Sequence, residues 1–77
     1  MEELIEVNPN IMVGKPVIKG TRITVEIVLE KLASGESVDD ILRSYPHLSR
    51  EQILACLEFA YKSLSVDFIV PAAPERA

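Results

Sequence analysis

The sequence predicts a mainly α domain in which a short N-terminal β-hairpin precedes three helices. Two observations carry that prediction. β-Branched residues flank Lys19-Gly20 in the stretch Lys15-Pro16-Val17-Ile18-Lys19-Gly20-Thr21-Arg22-Ile23, as a tight turn between extended segments requires. Beyond it, three segments with apolar residues at helical spacing each follow a Thr or Ser able to cap them, and Gly35 and Pro46 punctuate the gaps.

The hairpin is expected over residues 4–23. Leu4 to Val7 alternates loosely and runs into Asn8, Pro9 and Asn10, which read as a turn. Gly20 can take the positive φ that a tight turn asks of one of its residues. Pro16 has no N–H to give and belongs at a sheet edge.

Helices are expected over about 25–34, 38–45 and 50–64. In the first, Thr24 is the N-cap and Gly35 the stop; Val25, Val28, Leu29, Leu32 and Ala33 share an arc, and Ile27 falls among the charged positions Glu26, Glu30 and Lys31. In the second, Ser37 caps, Asp39 and Asp40 favour the positive end of the helix dipole, and Val38, Ile41, Leu42 and Tyr45 form one stripe up to Pro46. The third combines a capping box, Ser49 with Gln52, and a hydrophobic staple, Leu48 with Ile53. Its predicted buried arc holds Ile53, Leu54, Cys56, Leu57, Ala60, Tyr61 and Leu64, with Glu51, Ala55, Glu58 and Lys62 facing solvent.

Val66-Asp67-Phe68-Ile69-Val70 is rich in strand formers and is expected to pair with the N-terminal sheet or with a partner. Residues 1–70 then make one small domain, and residues 71–77 a flexible tail.

With 48% hydrophobic and 26% charged residues, the chain has enough apolar material to offset its ordering entropy. Its 77 residues bury a thin core, which a second subunit would supplement. Eight basic residues face twelve acidic ones, for a formal net charge of -4, so any contact with nucleic acid has to come from a local patch. One candidate patch is legible: no acidic residue lies between Glu6 and Glu26, whereas Lys15, Lys19 and Arg22 do. A single cysteine makes no intrachain disulfide, no apolar run is long enough for a bilayer, and the start MEELIEVNP is unlike a secretory signal. A cytoplasmic protein without membrane contact is expected.

No enzyme chemistry is expected. Nucleophilic catalysis needs a nucleophile beside a base, but His47 sits in a predicted turn and Cys56 on an apolar helix arc. Metal-ligand spacings such as CxxC or HExxH do not occur, and Gly14 and Gly20 do not form a nucleotide-binding loop. No cofactor or metal follows. Lys15, Lys19 and Arg22 are candidates for contacting nucleic-acid phosphates, since a hairpin can hold several long cationic side chains against one backbone, and Arg50, close to the N-cap of the third helix, is the candidate there for contacting a base or a phosphate. Ile27 and Phe59 are the apolar residues that the helix patterns leave over, and with Phe68, Ile69 and Val70 they are the candidates for contacting a protein partner.

The segments Asn8-Pro9, Gly14-Lys15-Pro16-Val17-Ile18 and Lys19-Gly20-Thr21-Arg22-Ile23, then Gly35, Tyr45-Pro46 and Leu48-Ser49, together resemble the small bacterial and archaeal family called domain of unknown function 433. The resemblance runs from about Glu6 to Leu64, and the GKPVIKGTRI run is its most specific part. It implies a compact domain with a homeodomain-like or winged-helix-like helical part, often self-associating as a homodimer. It also implies kinship with antitoxin-like proteins encoded beside PIN-type nuclease toxins, in which the helix-turn-helix regulates the operon and the C-terminal segment binds the toxin. It supplies no catalytic residues. The leading expectation is therefore a dimeric, DNA-binding, antitoxin-like regulator, and its rival a protein-interaction module that does not touch DNA.

Overall fold

A computed structural model describes residues 2–65. The strand expected at 66–70, with Phe68, Ile69 and Val70, and the tail at 71–77 lie outside the described residues. Within them the predicted architecture holds: a short hairpin followed by three helices, here β1 (Ile5–Glu6), β2 (Val17–Ile18), α1 (Val25–Ala33), α2 (Val38–Ser44) and α3 (Arg50–Leu64).

The turn at Lys19-Gly20 forms as its residues dictate. The Thr21 N–H donates to the Ile18 carbonyl at 2.9 Å, and Gly20 takes φ +82°. Thr21 locks the turn by donating its hydroxyl to the Ile18 carbonyl and accepting the Ile23 N–H. The regular ladder, however, pairs β2 with β1 across the preceding loop, Ile5 opposite Ile18 and Glu6 opposite Val17. On its other side β2 meets the returning chain through the bridge Val17 to Thr24 and the bond from the Ile18 N–H to the Ile23 carbonyl. Val17 and Ile18 thus lie between two neighbours, with polar groups paired on both edges, and both are fully buried.

The loop between β1 and β2 holds a feature the sequence did not announce. Met12, Val13 and Gly14 are consecutive left-handed residues with φ of 50°, 58° and 83°. For a β-branched residue such as Val13, which is 93% exposed, this conformation is an outlier costing roughly 1–2 kcal/mol. Nothing packs against Val13 strongly enough to explain it through burial.

The helices begin and end on local chemistry. Thr24 accepts the Ile27 N–H at 3.0 Å, and reciprocal capping boxes join Ser37 to Asp40 and Ser49 to Gln52. Past the C-cap Ser34 the chain closes a Schellman motif: the Gly35 N–H reaches the Leu32 carbonyl and the Glu36 N–H the Lys31 carbonyl, with Gly35 at φ +104°. The Asp40 carboxyl is held below the usual range, first by its hydrogen bonds with the Ser37 backbone and hydroxyl and then by Arg43.

Ile18, Val25, Val28, Ile41, Leu48, Ile53 and Cys56 form the core, and Leu48 and Ile53 meet there as the staple predicted from sequence. Ile27 and Phe59, left over by the helix patterns, are half-buried and pack against it. The outer face of α3 is a correction to the sequence reading. Ala55, expected in solvent, is buried, while Leu54, Leu57, Tyr61 and Leu64, expected inside, are 42%, 39%, 67% and 76% exposed. The reason lies in β1: α3 closes on α1 and on the β1 region together, and Ala55 and Phe59 share a pocket wall with Ile5. The buried arc therefore turns toward Ala55, where a small side chain permits close approach.

Four outcomes follow for equilibrium urea unfolding. Ala55→Leu should destabilise by about 1–3 kcal/mol through overpacking, whereas Leu57→Ser should stay within about 0.5 kcal/mol. Val13→Asn should raise stability by about 1 kcal/mol, because Asn tolerates the left-handed region. Asp40 has a lowered folded pKa, so its contribution is present above the ordinary carboxylate range and is lost as pH falls through the folded value; Asp40→Asn should weaken the acid-side loss of stability.

Candidate functional site

The four cations singled out for nucleic acid are not equally available. Lys15 is bound to Glu26 at 2.8 Å, and that contact holds the Glu26 carboxyl below its usual range. Arg50 reaches back across the α2–α3 turn to Asp39 at 2.6 Å. Lys19 acts on the Glu3 carboxyl, which is lowered chiefly by a backbone hydrogen bond and only slightly by the Lys19 charge. Arg22 lies on the rim of a hollow of about 340 Å³ with Glu6, Ile11, Gly20 and Thr21, and has no ion-pair partner among the described residues. The turn carrying Lys19 and Arg22 thus presents exposed positive charge, while Lys15 and Arg50 have carboxylate partners.

The potential nucleophile and base are likewise occupied structurally. Cys56 is fully buried in the core, and burial pushes its thiol up from an ordinary 9.0 to about 11, so it is protonated at neutral pH. His47 is exposed after α2, its ring edge-on to Tyr45 at 6.4 Å, and Tyr45 in turn lies beneath the Lys31 ammonium at 5.8 Å. Among the described residues no group of three or more His, Cys, Asp or Glu side chains could hold a metal ion.

What stands out instead is the outer face of α3. Leu54, Leu57, Tyr61 and Leu64 follow one another at spacings of three, four and three residues and fall within about 80° of one another around the helix. They form a continuous apolar stripe, because i, i+3 and i+7 neighbours on a helix touch. Arg50 stands at its N-terminal end, and Glu51, Glu58 and Lys62 border one side, with Lys62 and Glu58 paired at 3.5 Å. The opposite side of the same helix is already spent on the core through Ile53, Ala55 and Cys56. A helical wheel could not separate the two faces, since both are apolar. The available signal was the regular 54, 57, 61, 64 spacing, which is that of a packing seam.

A hairpin-led three-helix domain with a closed core and a second, open apolar face on its last helix defines a small, mainly α protein. The chain belongs to the family described as Protein of unknown function (DUF433), whose profile matches residues 5–60. It is similar to the uncharacterised protein y4eO of Sinorhizobium fredii (strain NBRC 101917 / NGR234), 39% identical over 51 residues that cover 66% of this chain and 23% of that protein. The chain therefore spans about a quarter of that relative's length. A crystal structure of a DUF433 member from Anabaena variabilis ATCC 29413 shares its fold, with a TM-score of 0.76 at 24% identity over 79% of this chain and 60% of that one. Among the described residues no helix is long and apolar enough to cross a membrane.

Thiol accessibility checks the assignment of Cys56. A thiol reagent at neutral pH should label it slowly in the native protein and completely in urea, and labelling in both states at one rate would show that the core does not cover it.

Proposed function

We propose that this domain is a non-catalytic, antitoxin-like interaction module, and that the α3 stripe is the surface with which it grips a protein partner. The observation that carries the proposal is the exposure of Leu54, Leu57, Tyr61 and Leu64 on one face of a helix whose other face already makes the core. A seam of this spacing fits an apolar groove or a second helix, and each fully buried large apolar side chain contributes roughly 1.5–3 kcal/mol. Tyr61 adds a hydroxyl that can be satisfied at the rim of such a contact. The bordering Glu51 and Glu58 and the net charge of -4 favour a partner with basic residues around its apolar patch. A PIN-type nuclease is the partner class that the family resemblance suggests.

The test is co-expression with the nuclease-like product of a neighbouring gene. Leu57→Asp and Tyr61→Asp should leave folding within about 1 kcal/mol and weaken the complex by at least about 30-fold. Unchanged affinity would remove the stripe from the interface.

A second reading, a homodimeric DNA-binding regulator, draws support from a different feature, the exposed Lys19 and Arg22 in the tight turn. Two protomers would bring two such turns to one duplex and bind by linked contacts. The acidic border of α3 and the Arg50 to Asp39 pair oppose groove reading by that helix, so the turn would position the protein on phosphates. Binding to its own upstream duplex should fall steeply with salt and be lost in Lys19→Ala/Arg22→Ala. Absence of binding at low ionic strength would retire this reading.

A further inference from the structure

Two of the four candidate cations touch carboxylates that lie eleven residues away in the sequence. Lys15 Nζ donates to Glu26 Oε1 at 2.8 Å, joining the hairpin to the first turn of α1. The Arg50 guanidinium donates to Asp39 Oδ1 at 2.6 Å, joining the start of α3 to the first turn of α2. At these distances a carboxylate oxygen gives a cation the same charge-assisted hydrogen bond that a phosphate oxygen would give it. Lys19 and Arg22, in the tight turn, have no ion pair among the described residues.

Neither pair is needed to build the fold. All four side chains are more than half exposed, and exposed ion pairs add little to stability. The helix starts are set by other residues: Thr24 caps α1, and the boxes of Ser37 with Asp40 and Ser49 with Gln52 cap α2 and α3. What the two pairs do change is which cations are open to an outside anion.

We infer that Glu26 and Asp39 are internal competitors of phosphate. By occupying Lys15 and Arg50 they confine contact with a nucleic-acid backbone to the turn that carries Lys19 and Arg22. The inference rests on the regulator reading, in which that turn positions the protein on a duplex. Sequence-independent affinity grows with every phosphate neutralised, so withholding two of the four cations keeps binding to arbitrary duplexes weak. Because both pairs are exposed, a backbone that brings phosphates to Lys15 or Arg50 can still displace the carboxylates.

The test is binding to a duplex of arbitrary sequence, followed by fluorescence anisotropy over a range of salt. Glu26→Gln/Asp39→Asn should bind more tightly than the unaltered chain. Its plot of log affinity against log salt should be steeper by about 1.8, or about 0.9 for each cation released. Glu30→Gln/Glu51→Gln makes the same change in net charge, but neither carboxylate pairs with a cation among the described residues. It should raise affinity through the general field and leave the slope as it was. Adding Lys15→Ala/Arg50→Ala to the first variant should restore the original slope. Equal slopes in the two charge-matched variants would overturn the inference. Lack of binding by the unaltered chain would retire the regulator reading and leave a separate decision: the inference stands if Glu26→Gln/Asp39→Asn alone gains binding that Lys15→Ala/Arg50→Ala removes, and falls if that variant does not bind either.

Discussion

The rotation of α3 about its own axis governs the molecule. The core is closed by the hairpin as well as by the helices: α3 turns Ile53 and Cys56 toward the other helices and Ala55 with Phe59 toward Ile5 in β1. Satisfying both neighbours spends an arc of about 160° around the helix, from Ala55 through Phe59 and Cys56 to Ile53. The leucines and tyrosine at 54, 57, 61 and 64 are then carried outward, because no remaining element of residues 2–65 is positioned to cover them. The same rotation requires Ala55 to stay small.

Ile18 is the counterpart of that constraint in the hairpin. It is fully buried, it pairs with Ile5 on one side, and it bonds to Ile23 on the other, so the sheet and the helical layer meet at one side chain. Thr21 holds the turn beside it through two bonds, which explains why a sequence run as short as Lys19-Gly20-Thr21-Arg22 can fix the approach of the chain to α1. The turn's cations are exposed as a by-product of this economy: a tight turn has no room to fold long side chains inward.

Features encoded over a few residues were legible. The three N-caps, the Ser49–Gln52 capping box, the glycine stop at Gly35, the Leu48–Ile53 staple and the turn at Gly20 each depend on neighbours within five positions, and each formed. Features set by distant segments were not. The apolar arc of α3 was drawn too wide because hydrophobicity alone cannot tell a face turned to β1 from one turned to solvent. Lys15–Glu26 and Arg50–Asp39 each join residues eleven apart, so an interval without acidic residues in the sequence did not guarantee free cations in space. The left-handed run at Met12 and Val13 was hidden because only Gly14 among the three advertises that conformation.

The open face of α3 also bears on how the free domain behaves in bulk. A leucine–tyrosine strip that stays wet attracts any similar strip, and a net charge of -4 provides only a screened, long-range repulsion against that attraction. Colloidal stability should therefore decline as ionic strength rises, the reverse of the trend for proteins that precipitate by charge pairing. A domain of this kind is best handled dilute, at low salt, or already accompanied by whatever shields the strip.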